Sequence, residues 1–409
     1  MPRIDGGRLR ELRRARGWDV PEMARRLRIA AGGDSLPDHD ALVRMARRWE
    51  REGLNTSRAE RYELLYATAF GIRPEELRRE SASPGHTAQP QVVGRQADNA
   101  DIPDVITAIA EALHVGSADY PSRDRMRLEE DVRRAWELRQ SSEYARLGDL
   151  LTDLLRDVGS RQDDAVPAIH AYNLASSLAK SLGAHEMSAV LADRAHQTAR
   201  QHGSPLLVGA AKMRVANTYL SAGRHVEAIA VAAAAAEDLP PRSDSAPEEI
   251  ATFGTLVLTA AVAAARMGEA AQAWEFLGHA RTATAFYDRD HADLYAVFGP
   301  ANLAIHGVQV ATDLGDGREA LRRAERTDPR RLPAVLRERR TTLLIDIARA
   351  EHMQLDDAGA GETLIEAERV APLEVRYSGA ARGLLGELLA TGRPSGELRK
   401  MAARLNMAA

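Results

Sequence analysis

The sequence predicts an all-α protein in two parts, a small helical head and a long body of paired helices. Three observations carry that expectation. Apolar residues recur at i, i+3, i+4 and i+7 along nearly the whole chain, in stretches rich in the helix formers Ala, Leu, Arg and Glu. No convincing run of alternating β-branched residues competes with that pattern. One polar stretch, from Ser81 through Pro84, Gly85 and Pro90 to Asp101, is rich in Ser, Pro and Gly and poor in apolar residues. The expected division is a domain over 1–80, a linker over 81–101 and a second domain over 102–409.

Composition removes several classes of function. The 409 residues include no cysteine, so disulfides, Cys-ligated zinc and a cysteine nucleophile are excluded. The longest apolar run covers residues 256–265, short of the ~20 that span a bilayer. Residues 1–7 lack the apolar stretch of a secretory signal. A cytoplasmic protein with no membrane partner is expected. The net charge of −4 speaks at first against nucleic acid. Divided at the linker it becomes +4 for residues 1–80 and −8 for the remainder, a basic head on an acidic body. Only Lys180, Lys212 and Lys400 are lysines among 55 basic residues. Arginine suits bidentate contacts, but a GC-rich coding sequence gives the same skew, so usage alone decides nothing.

Three helices open the chain. The first is expected over 7–16, with Leu9 and Leu12 inward and Gly17 as its stop. The second is expected over 20–30: Asp19 caps it, Pro21 sits in its first turn, and Val20, Met23, Ala24 and Leu27 form its apolar stripe. The third begins after Pro37, where Asp38 and Asp40 oppose the helix macrodipole. Its inward seam is Leu42, Ala46 and Trp49, and Arg44, Arg47, Arg48 and Arg51 gather on the opposite side. A helix lying in a major groove needs such a face, because guanidinium groups fork onto guanine O6 and N7 or neutralise phosphates. A solvated charged face is the competing reading of the same arginines.

The order and spacing resemble the Cro/cI-type (XRE) helix-turn-helix family. The matching text is LRELRRARGW (9–18), PEMARRL (21–27), LVRMARRWER (42–51) and RYELLYATAFGI (61–72). The family's scaffold glutamate follows an apolar residue late in the recognition helix, as Glu50 follows Trp49 here. The resemblance implies double-stranded DNA as partner, with Val43, Arg44 and Arg48 at base edges, Met45 alongside, and Arg47 and Arg51 nearer the phosphates. The chain departs from the family in its turn, which holds about a dozen more residues between Ala24 and Val43, around Gly32 and Gly33.

In the body, residues 211–240 follow the tetratricopeptide pattern. Ala216, Tyr219, Gly223, Ala228, Ala235 and Pro240 fall at repeat positions 8, 11, 15, 20, 27 and 32. Small residues at 8, 20 and 27 let paired helices pack closely. Weaker echoes surround Gly183 with Ala195, Gly268 with Ala280, Gly315 with Ala320 and Pro329, and Ala348 with Ala360, Ala367 and Pro372. The glycines lie 40 to 47 residues apart, longer than the usual repeat of about 34. Residues 125–160 read as an earlier degenerate repeat and 394–409 as a closing helix. The expectation is a right-handed TPR-like α-solenoid of five to seven helical hairpins.

Such a solenoid binds on its concave face, lined by first-helix positions 2, 5, 6 and 9. The candidate ligand-binding residues there are Asn173, Arg214, Asn217, Asn302 and His306. Phe298 joins them if the break Phe298-Gly-Pro-Ala-Asn302 bends inward rather than simply opening a helix. Asn side chains satisfy both N–H and C=O of a peptide backbone, so an extended peptide is one expected guest. A neutral, partly apolar small molecule fits equally well, and helix capping is the competing use of each Asn.

Enzymatic motifs are missing. There is no Walker A ending, no strand-linked Gly-x-Gly-x-x-Gly, no His-Glu-x-x-His and no Gly-x-Ser-x-Gly, so a non-enzyme without metal or cofactor is expected. A basic helix-turn-helix on a repeat body resembles the peptide-sensing RRNPP class and similar XRE–repeat regulators. That implies a homodimeric transcription factor, active in quorum sensing or similar signalling, whose solenoid senses a ligand and repositions two heads. The second expectation is an interaction scaffold whose solenoid binds a partner protein while the head docks.

Overall fold

A computed structural model of the chain describes residues 4, 6–16, 18–30, 37, 39–53, 59–70, 77, 101–114, 124–159, 165–286, 291–292, 297–327, 336–390 and 394–407. The protein is all-α, and two compact units divide it, Met1–Gln96 and Ala97–Ala409. Of the expected linker, 81–100 lie outside the described residues, and a helix begins at Asp101.

The first unit holds α1 (Gly6–Ala15), α2 (Val20–Ala30), α3 (His39–Glu52) and α4 (Ala59–Phe70). α3 packs on α1 and α2, and α4 on α2. Asp19 caps α2 by accepting from the Glu22 amide at 2.7 Å. Leu9, Met23, Leu27, Leu42, Ala46, Trp49 and Tyr66 form one buried core. The enlarged turn around Gly32 and Gly33, and Asp38 after it, lie outside the described residues.

The second unit begins with α5 (Asp101–His114), which packs on α7. Helices then follow in pairs: α6 (Arg125–Gln140) with α7 (Tyr144–Gly159), α8 (Ala165–Ser181) with α9 (His185–His202), and α10 (Pro205–Ser221) with α11 (His225–Glu237). α12 (Pro247–Met267) pairs with α13 (Ala270–Ala283), α14 (Pro300–Asp313) with α15 (Gly317–Ala324), and α16 (Arg337–Met353) with α17 (Asp357–Val370). A short α18 (Pro372–Tyr377) leads to α19 (Gly379–Ala390) and α20 (Gly396–Arg404). Among the described residues a two-residue antiparallel pair, β1 (His291–Ala292) with β2 (Val297–Phe298), interrupts the helices.

A single turn design joins the two helices of every pair from α6 to α17. Gly183, Gly223, Gly268 and Gly315 sit at φ between 72° and 84°, and each following amide reaches back five residues to a carbonyl. In the α8–α9 turn, for example, Ala184 N–H donates to Ala179 at 2.8 Å. This closure satisfies carbonyls that a helix end leaves open, and it needs one left-handed residue. Glycine takes that position without strain in four turns, while Ser142 (φ 59°) and Leu355 (φ 68°) take it in the other two. The sequence pattern showed only the glycine members.

α12 is 21 residues long and apolar enough to cross a membrane by length and composition, longer than the apolar run expected from the sequence. Its apolarity answers to packing: Leu256, Leu258 and residues 260, 261 and 263–265 are fully buried among α10, α11, α13 and α14.

Candidate functional site

In the head, α3 is held from behind. Trp49 packs its ring on Tyr62 and Tyr66, with centroids 4.5 and 6.1 Å away. The next residue, Glu50, is buried and takes a bidentate grip from Arg13, at 2.6 and 2.8 Å. The third nitrogen of that guanidinium donates to the Trp18 carbonyl at 2.6 Å. Burial alone would lower the Arg13 pKa, but Glu50 outweighs it and raises the value, so the guanidinium stays charged. Gly6 lies so close to the Trp49 and Glu50 carbonyls that no Cβ fits, and Arg10 donates to Glu50 O at 2.5 Å. Beside this clamp, Trp18 stacks on Phe70 at 5.7 Å, with Arg16 over Phe70 and Arg26 over Trp18, both at 4.9 Å. That cation–aromatic cluster was not legible in the sequence.

The opposite side of α3 presents Arg44 and Arg48, both exposed and one helical turn apart. Met45 and Arg47 are half-buried. The Arg51 side chain lies outside the described residues. Val43 corrects the sequence expectation: at 8 % exposure it belongs to the head's core and is not offered to a base edge. The buried stripe of α3 is wider than the seam of Leu42, Ala46 and Trp49, and Val43 falls within it.

In the body, the six candidate ligand residues part company. Phe298 is a correction: it is fully buried and its ring lies against Gly254, where any Cβ would collide with it. The β1–β2 pairing turns this residue into the core rather than toward a groove. Asn302 donates its amide to the Val297 carbonyl at 2.6 Å and so braces the same break. Asn217 donates to Met213 O, one turn back on its own helix, at 3.0 Å. Asn173 is buried, and its Oδ1 meets no hydrogen-bond donor among the described residues.

Arg214 and His306 are brought together, through residues that the sequence did not flag. α16 starts with Arg337-Glu-Arg-Arg340, which reads as a solvated charge run. In the fold, Glu338 instead faces Arg339, Arg139, Lys180 and Arg214, from α16, α6, α8 and α10. Burial opposes its charge, yet these four cations hold the carboxyl at about 2. Arg139 is buried and donates to Ser177 (3.0 Å), Ser181 (3.0 Å), Tyr144 (3.1 Å) and Glu374 (3.3 Å), with Glu338 at 3.5 Å. Arg214 lies over the Trp136 ring at 5.4 Å, and burial first, then Arg139, lowers it to about 10. Burial lowers Lys180 to about 8 and His306 to about 4, so the imidazole is neutral at physiological pH. His306 Nδ1 is 2.9 Å from the Asn302 carbonyl. Residues from α6, α8, α10 and α16 thus meet in one charged cluster.

Among the described residues no cluster of three or more His, Asp or Glu side chains could hold a metal ion. No protein-family model and no curated protein matches this sequence.

Proposed function

We propose that this chain is a DNA-binding regulator. A helix-turn-helix head reads double-stranded DNA, and a TPR-like, right-handed solenoid body senses a peptide or small molecule and dimerises. The observation that carries the reading is the exposed pair Arg44 and Arg48 on a helix whose other side is clamped by Trp49 and by Glu50 on Arg13. Groove reading rewards that combination, because guanidinium forks select bases only when the helix beneath them keeps a fixed orientation. The repeated hairpin turn and the polar inner face of the body support the sensing half. Two heads would read half-sites ~34 Å apart, and ligand binding would act by changing that spacing. The site is proposed as a binding site without chemistry of its own, in the cytoplasm.

Titration of the full chain against duplex DNA at several salt concentrations tests this. A steep log–log slope is expected, and Arg47→Ala or Arg51→Ala should each reduce it by about one, the share of a single neutralised phosphate. Arg44→Ala and Arg48→Ala should instead relax base preference by about 1–3 kcal/mol at their positions. Weak binding with a flat salt dependence overturns the reading and favours a scaffold that binds a partner protein.

A further inference from the structure

The chain has three lysines, and two of them hold acidic partners: Lys212 reaches Asp238 at 3.2 Å and Lys400 reaches Glu397 at 2.9 Å. Lys180 differs. It lies in the last turn of α8, between Ser177 and Ser181, which both accept from Arg139. Its ammonium makes no hydrogen bond or ion pair among the described residues. Charged groups act on it from three other helices: Arg139 on α6, Arg214 on α10, and Glu338 and Arg339 on α16. The residue is half-buried and not sealed, so a small solute can reach it.

An ammonium short of water and close to guanidinium groups loses stability against the free amine, which is the nucleophilic form. Burial acts first on Lys180; Glu338 opposes it and the three arginines reinforce it, so the group titrates at about 8. At pH 7 about a tenth of it is free amine, against less than about one in a thousand of an unperturbed lysine. We propose that Lys180 is a covalent capture site that holds a small aldehyde as an imine. The amine lone pair attacks the carbonyl carbon, the oxygen leaves as water with both amine hydrogens, and a C=N bond remains. No electron donor or acceptor is needed, and water reverses the step. Capture is stoichiometric, so it is ligand binding and not turnover. The proposal names a ligand chemistry for the sensing body and rests on the regulator reading for its biological meaning. The reactivity of the amine stands without it.

The test incubates the full chain, without DNA, at pH 7 with butanal and cyanoborohydride, which reduces the imine to a stable secondary amine. Peptide mass mapping then reads the adduct at each lysine and, separately, at the amino terminus. Lys180 should gain the butyl group about tenfold or more faster than Lys400, the exposed comparison in the same chain. Its yield should saturate with butanal concentration, while the yield at Lys400 stays proportional. Brief acetic anhydride pulses at rising pH should label Lys180 faster up to about 8 and no faster beyond. Arg214→Gln should slow capture and Glu338→Gln should speed it, whereas loss of fold would bring Lys180 to the Lys400 rate in both. Equal or slower capture at Lys180 than at Lys400 in the wild type, or a yield that never saturates, overturns the proposal. Because DNA is absent, failure here leaves the DNA-binding result standing, and a failed DNA titration leaves this one standing.

Discussion

Arg139 and Glu374 lie 235 residues apart in the chain and 3.3 Å apart in space. Tyr144 and Ser142 donate to the same Glu374 oxygen, and Leu373 and Tyr377 pack on the core built by α6 to α9. An array of hairpins that touched only its neighbours would fray from either end. This clasp ties α6 and the start of α7 to α18. Glu374→Ala should cost about 3 kcal/mol in urea unfolding, because Arg139 is left partly unpaired inside the protein. Amide exchange should then rise in 125–140 and 372–377 together. A change confined to 372–377 would show that the clasp carries no coupling.

Leu355 is 84 % exposed and sits at φ 68°, the turn position that glycine takes in four sister turns. Leu355→Gly therefore sacrifices no packing and removes left-handed strain. A gain of about 1 kcal/mol is expected in thermal or urea unfolding, net of the added freedom of the unfolded chain.

Asp346 and Asp313 are buried side by side, bridged by Arg349 at 2.9 Å to each, with Arg266 at 3.1 Å from Asp313. Burial first, and Asp313 with it, outweighs Arg349 and pushes Asp346 up to about 6, and its Oδ2 meets no hydrogen-bond partner among the described residues. An unfolded aspartate titrates near about 3.9, so the folded chain holds this proton more tightly. The stabilisation is complete below about pH 4, declines as pH rises and is gone above about 6. Asp346→Asn should remove that component, so the difference in melting temperature between variant and wild type should swing toward the variant from pH 4 to 7. A constant difference would refute the assignment.

Gly254 faces the Phe298 ring with no room for a methyl group. Gly254→Ala should destabilise the body by about 1–3 kcal/mol through overpacking, and the same change at the open position Gly278 should not. Equal melting temperatures for the two variants would mean that the ring moves aside freely.

Val43→Ala should cost about 1 kcal/mol of head stability and leave base preference unchanged, since the side chain packs inward. Arg44→Ala should do the reverse. Circular-dichroism melting of each variant beside its DNA titration separates the two effects.

Periodicity and capping locate α2 at Val20–Ala30, because Asp19, Pro21 and the stripe through Leu27 act locally, within one or two turns. The pairing of body helices is legible for the same reason: a left-handed turn advertises itself by glycine. Ser142 and Leu355 take the turn without that signal. Arg44 and Arg48 face outward, as their spacing against the apolar seam implies. The charged cluster around Glu338 is not legible, because nothing local tells Glu338 from a solvated surface glutamate. Only the closure of α16 and α18 onto α6 and α8 buries it, and that depends on pairings more than 150 residues apart in sequence. Phe298 and Asn302 escape sequence reading because their partners, Gly254 and the Val297 carbonyl, come from packing and a local bend that helical registers do not encode.

α12 also has a history before the native state. Its neighbours come from both directions in the chain, and the later ones, α13, Phe298 and α14, are not complete until Asp313. At a synthesis rate of about 5–20 residues per second, those 46 residues emerge roughly 2 to 9 seconds after Met267. During that interval the largely apolar α12 has only its earlier neighbours, α10 and α11, to pack against. An apolar segment still waiting for its later partners is the kind of transiently exposed surface that chaperones bind during synthesis.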